Sequence, residues 1–254
     1  SPVLRRVLLG GRDNSLRLFD GPARDTREAG DLVRGLAPFV TSASFASYRR
    51  PRPPLGRLDD LRQLALDRGI PLHVDSCIGG MVLPFIDHPS AWDFSVPGVA
   101  SISVDMHKYG YSAKGAGVIL YRTKELRNAQ IFVTDNWLGG LYGSSGILGT
   151  KSGGPIASAW AMISHFGIEG YRSLSHRARA TALAMADAIN STPPLFVMTK
   201  PDSTLICIAS HDQNCDVHNV ADALRRRGWY VDQQGPPRSL HMTVSAGHDA
   251  VVDS

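Results

Sequence analysis

Apolar and polar residues alternate most clearly between Ala100 and His107. Ile102, Val104 and Met106 fall on one side, and Ser101, Ser103, Asp105 and His107 on the other. A period of two predicts a β-strand, over residues 100–104. Further strands are predicted over 71–75 and 118–121. Upstream, Leu58, Leu61, Leu64 and Ala65 share one helical face, which predicts a helix over 58–69 that Gly69 ends. Helix and strand in alternation point to an α/β protein with a parallel sheet and covering helices. A central strand of such a sheet is normally apolar on both faces. The polar stripe of 100–107 therefore belongs either to a half-exposed strand or to one that contributes its polar side to a cleft.

The pattern then changes. Residues 137–154 are rich in glycine and serine and predict a long loop with little secondary structure of its own; such loops are usually functional or disordered. Helical spacing resumes over 156–166 and again over 170–190, where Leu174, Ala178, Ala182, Met185 and Ile189 share a face. Pro193-Pro194 breaks it. Beyond lie predicted strands 195–199, 204–209 and 239–244. A helix with Val217, Val220, Ala221 and Leu224 in one stripe is closed by Gly228. The organisation expected is a poorly patterned segment over 1–55, a partial large domain over 56–192 and a smaller, incomplete C-terminal α+β domain over 193–254.

Charge divides the chain in the same place. The net charge of +4 comes from residues 1–55, which hold ten Arg, no Lys and five acids. The rest holds 17 basic and 18 acidic residues, so the basicity is not a property of the patterned body, and nucleic acid is not an expected partner. The head reads as a disordered or mistranslated segment, with a polyanion-binding arm as the rival. Cys77, Cys207 and Cys215 form no C-x-x-C pair, which argues against a zinc site or disulfide framework and fits a reducing, cytoplasmic setting. No apolar run reaches the ~18 residues of a membrane span, and the first residues do not read as a signal peptide.

The candidate chemistry sits at two strand ends. Pro71-Leu-His-Val-Asp75-Ser-Cys77 ends in an acid, and Ser101-Ile-Ser-Val-Asp-Met-His-Lys108 runs into a His-Lys pair. Strand period places His73, Asp75 and Cys77 on one face. One lysine and one aspartate so placed are what a pyridoxal phosphate site needs: an amine for the aldehyde, and a carboxylate to keep the pyridine nitrogen protonated. The amine must be neutral to attack, and a partly desolvated site near other cations would lower its pKa. Gly79-Gly80 permits a close backbone approach.

These segments, with Asn136-Trp-Leu-Gly-Gly-Leu-Tyr142, Gly149-Thr-Lys-Ser-Gly-Gly154, Ala223–Trp229 and Pro237–Val244, resemble the group II pyridoxal phosphate-dependent decarboxylase family, and within it the sphingosine-1-phosphate lyase branch. The likeness covers roughly residues 56 to 250. It implies the aspartate-aminotransferase-like architecture, fold type I. It makes Lys108 the Schiff-base lysine and Asp75 the partner of the ring nitrogen. Cys77 would stand against the ring and His107 near the cofactor phosphate. Lys114 resembles a second lysine of the lyase branch, tuning Lys108 and holding a substrate phosphate. Ser144 and Ser145 would reach across a homodimer interface to the partner's cofactor phosphate. Lys151 stands where arginine is common, which weakens a two-pronged grip there. His73, His165, His176 and His241 read as structural.

The activity implied is a carbon–carbon lyase reaction on an amine substrate: retro-aldol cleavage of a phosphorylated long-chain amino alcohol to an aldehyde and phosphoethanolamine. Amino-acid decarboxylation is the alternative. The family also implies a long stretch before residue 56 that supplies a ring-stacking histidine and much of the phosphate site. Residues 1–55 do not match it, so a truncated or scrambled N-terminal part, and with it an inactive fragment, is the third expectation.

Overall fold

Four short strands form the sheet that carries the candidate site. In the computed structural model they are β4 (Thr41–Ser44), β5 (Leu72–Asp75), β6 (Val99–Asp105) and β7 (Gly117–Tyr121), in that spatial order. The structure describes residues 8–10, 16–18, 21–22, 41–44, 65–87, 91–146, 149–235 and 237–251. Strands β4, β5 and β6 run parallel, and β7 returns antiparallel to β6. Upstream, β1 (Leu8–Gly10), β2 (Leu16–Leu18) and β3 (Gly21–Pro22) pair antiparallel. The other expectations for 1–55, and the start of the helix proposed over 58–69, lie outside the described residues. The end of that helix is helical over 65–67. Gly69 takes a φ of 61°, and Ile70 N–H donates to Ala65 C=O at 2.8 Å. This is a glycine-closed helix end.

Leu72, Val74, Val99, Ile102 and Val104 pack into the first core with Val82, Leu83 and Trp92. The polar side of β6 is only partly open to water: Ser101 is buried and bonded to His73 Nδ1 at 2.8 Å, and Ser103 and Asp105 are half-buried. Gly80 is where the turn after β5 presses on β6. A Cβ built there would lie 2.6 Å from Val104 Cγ2. Gly80→Ala is expected to cost about 1–3 kcal/mol through overpacking, read as a lower urea midpoint.

After β7, a short helix α1 (Lys124–Asn128) leads into a hairpin of β8 (Phe132–Thr134) and β9 (Tyr142–Ser144). The expected loop over 137–154 therefore contains a strand. Gly143 and Ser144 hide it, because neither favours β structure. The two helices expected over 156–166 and 170–190 form one long element, α2 (Gly153–Asn190), broken at Gly167, whose φ is 56°. The left-handed backbone suits glycine and marks the gap in the apolar pattern.

Helix α2 joins two cores. Ala159 and Ala178 belong to the first, Ala182 to the second. The second core lies under an antiparallel sheet of β10 (Leu195–Val197), β11 (Leu205–Ser210), β13 (Ser239–Thr243) and β12 (Asp232–Gln234), in that spatial order. Helix α3 (Val217–Arg226) covers it through Val217 and Ala221, and Asp216 caps it by accepting from His218 N–H at 3.0 Å. Among the described residues no helix is long and apolar enough to cross a membrane.

Candidate active site

Strand register places the polar groups side by side. In the β5–β6 ladder His73 pairs with Ser101 and Asp75 with Ser103. Asp75 Oδ1 accepts from Ser103 Oγ at 3.2 Å and from the Cys77 main-chain N–H at 3.1 Å. The aspartate thus ends its strand in a local turn, with one oxygen committed to holding it. His73 Nε2 lies 3.3 Å from Ser103 Oγ, so the histidine joins both serines and acts structurally.

Lys108 reaches the same place from the end of β6. A turn in which Lys108 N–H donates to Asp105 C=O at 3.2 Å carries it off the strand. Its amine lies 3.0 Å from Asp105 Oδ2, with the Cys77 thiol close by. The Cys77 carbonyl in turn accepts from Asp105 N–H at 3.2 Å. Asp75 and Lys108 therefore both neighbour Cys77, at the carboxyl ends of neighbouring parallel strands, where open α/β sheets bind ligands.

The electrostatics differ from the expectation for a lysine among cations. Burial alone would lower the Lys108 amine, but its hydrogen bonds to Cys77 and Asp105 outweigh that and hold it above its ordinary value. The neighbours are an acid and a thiol, and Lys114 is not among the groups that shift it. Burial pushes the Cys77 thiol up, against the pull of the Lys108 hydrogen bond. His107 Nδ1 lies 2.9 Å from Ala116 C=O, which can only accept, so Nδ1 carries the proton. Its Nε2 faces Asp105 Oδ2 at 3.6 Å.

Lys108, Asp75, Cys77 and His107 are brought together. Lys114 is exposed in the loop before β7. Ser144 and Ser145 lie on the hairpin, where Ser144 Oγ donates to Gly146 C=O at 2.6 Å and Ser145 C=O accepts from Gln130. A cleft of about 430 Å³ between β7, α1 and the hairpin is lined by Ser145 and Lys151 and by none of the Lys108 group. Asp105 is the residue that sequence reasoning passed over. It appeared only as one member of the polar stripe; its spacing of three before Lys108 was the available signal.

Two histidines give the fold a pH dependence. Burial lowers His73, opposed by Asp75, and lowers His241, opposed by Asp232, whose Oδ2 lies 3.7 Å from His241 Nδ1. Both hold their protons less tightly than the usual 6.5. As pH falls through that value the unfolded chain takes up protons first, so stability present above it is lost below it. The melting temperature is expected to drop between about pH 7 and pH 5; a rise over that interval contradicts the assignment.

Known proteins resemble this chain in sequence and fold. The chain is 38% identical over 200 residues to the sphingosine-1-phosphate lyase of Arabidopsis thaliana, covering 77% of this chain and 36% of that protein. It is 34% identical over 225 residues to sphingosine-1-phosphate lyase 1 of Rattus norvegicus, covering 85% and 38%. It thus spans little more than a third of these relatives. Among solved structures, the sphingosine-1-phosphate lyase of Burkholderia pseudomallei superposes with a TM-score of 0.76 at 35% identity, over 88% of this chain and 52% of that one. The glutamate decarboxylase of Lactobacillus brevis shares the fold, with a TM-score of 0.64 at 23% identity, over 77% and 48%. The family match starts at residue 32, ahead of the motif likeness at 56. With the pyridoxal-dependent decarboxylase conserved domain matched over residues 32–210, the chain belongs to the pyridoxal-dependent decarboxylase family and has its fold-type-I architecture.

Proposed function

We propose that this chain carries the lysine and aspartate of a pyridoxal phosphate-dependent carbon–carbon lyase that cleaves a phosphorylated long-chain amino alcohol to an aldehyde and phosphoethanolamine. The observation that carries the reading is the convergence of Lys108 and Asp75 on Cys77, joined to the lyase likeness of the whole body. The donor set fits the cofactor. Asp75 Oδ1 is taken by Ser103 and Cys77, which leaves Oδ2 for a protonated ring nitrogen. Lys108 offers the only amine held against this group among the described residues.

When bound, pyridoxal phosphate supplies an electron sink for the bond broken in the substrate. The chain's own residues do the rest. Lys108 would hold the cofactor through its amine, which rests 3.0 Å from Asp105 Oδ2. Asp75 would meet the ring nitrogen, and Ser103 Oγ and the Cys77 N–H hold its carboxylate in place. Cys77 stands beside both, where the thiol restricts the space above the turn. Lys114, exposed in its loop, is free to meet a substrate phosphate.

A second copy of the chain completes the reading. Ser144 and Ser145 lie away from Lys108, as residues serving a partner's phosphate site would. The same hairpin exposes Phe132, Val133 and Leu138, and α2 exposes Trp160, which is 71% accessible. Apolar groups so placed suit an interface. Light scattering is expected to give twice the mass of one chain, and Leu138→Asp to shift it toward the monomer.

Incubation with pyridoxal phosphate and a sphingoid-base phosphate tests the reaction. Long-chain aldehyde is the expected product. CO₂ released from an amino acid instead would assign the chain to decarboxylation, the second reading. No turnover of either substrate by a chain that bonds the cofactor would mark an inactive fragment.

A further inference from the structure

Asp105 is the last residue of β6, and its surroundings fix it closely. Its N–H donates to Cys77 C=O and its C=O accepts from Lys108 N–H, each at 3.2 Å. Its carboxylate is therefore held between the turn after β5 and the turn that carries Lys108. Oδ2 then meets two groups, Lys108 Nζ at 3.0 Å and His107 Nε2 at 3.6 Å. With Nδ1 bonded to Ala116 C=O, the His107 ring turns Nε2 to that same oxygen. The titratable groups around the amine are Asp105 and His107 from the end of β6, and Cys77 with Asp75 behind it from the end of β5.

We infer that Asp105 is a positioning residue for Lys108: its carboxylate holds the amine as an ammonium ion at the strand ends whenever the amine is not bonded to the cofactor. The inference rests on Lys108 being the lysine that bonds the cofactor. A lysine displaced by substrate needs a fixed resting place, or its four-carbon stem wanders and the return step slows. Asp105 supplies one within the site. To react again the ammonium gives up one proton to the solvent that reaches its part-exposed side chain. The raised proton affinity of Lys108 agrees with this pairing.

Competitive acetylation of the chain with acetic anhydride, read lysine by lysine by peptide mass spectrometry, tests the pairing without cofactor. The chain has five lysines, so the other four are internal controls. Loss of the carboxylate frees neutral amine, so Asp105→Asn is expected to acetylate Lys108 about fivefold faster at pH 8. The other four lysines keep their rates, and Asp105→Glu, which retains the charge, stays close to wild type. Equal Lys108 rates in the three proteins overturn the inference, as does an acceleration shared by all five lysines. Borohydride reduction of the wild-type chain with pyridoxal phosphate separates the two ideas. A pyridoxyl group absent from Lys108 defeats the reading of the lysine and with it the role of Asp105; a pyridoxyl group on Lys108 with no change in acetylation defeats the role of Asp105 alone.

Discussion

Lys108→Ala is expected to abolish covalent capture of pyridoxal phosphate and to lower lyase turnover by about 10³-fold or more, as loss of a bond-forming group does. The amine is 35% exposed and its partner Asp105 26% exposed. Loss of that ion pair should therefore change stability by less than about 1 kcal/mol, and the melting temperature should stay near that of wild type. The pair of results matters: an inactive but unfolded variant says nothing about chemistry, whereas an inactive and folded one does. Turnover by Lys108→Ala within tenfold of wild type would remove the lysine from the mechanism.

Asp75→Asn separates charge from shape. Asparagine keeps an oxygen for Ser103 Oγ and Cys77 N–H, so the turn after β5 should persist. What is lost is the negative charge opposite the ring nitrogen. Removal of a preorganised electrostatic partner typically lowers turnover by about 10²–10³-fold, and that is the expected result. Capture of the cofactor by Lys108 continues. Turnover unchanged in Asp75→Asn would mean that another group holds the ring.

Much of this was legible in the chain. The alternation of Ile102, Val104 and Met106 with Ser101, Ser103 and Asp105 gave the strand its faces, because side chains on a strand alternate without exception. A strand over 100–104, one residue short at each end of the observed Val99–Asp105, and the apolar return over 118–121 followed in the same way. Less legible was which side of that strand is buried. Polar residues suggest water, yet Ser101 is enclosed, since His73 on the neighbouring strand satisfies it. That pairing depends on the register of two strands 28 residues apart, which no local pattern encodes.

The role of Asp105 was hidden for a related reason. An acid three residues before a lysine is common on any surface, and only the turn after β6 brings the two side chains to 3.0 Å. The error over Lys108 has the same root. Cations, Lys114 among them, were expected around it, but the turn directs it to Asp105 and Cys77. The hairpin was missed because its second strand, Tyr142–Ser144, holds two residues that favour turns.

Peptide mapping after borohydride reduction of the chain with pyridoxal phosphate tests the central claim most directly. The label should be found on the peptide containing Lys108 and on none of those containing Lys114, Lys124, Lys151 or Lys200. A label on one of those four, or on none of the five, contradicts the site described.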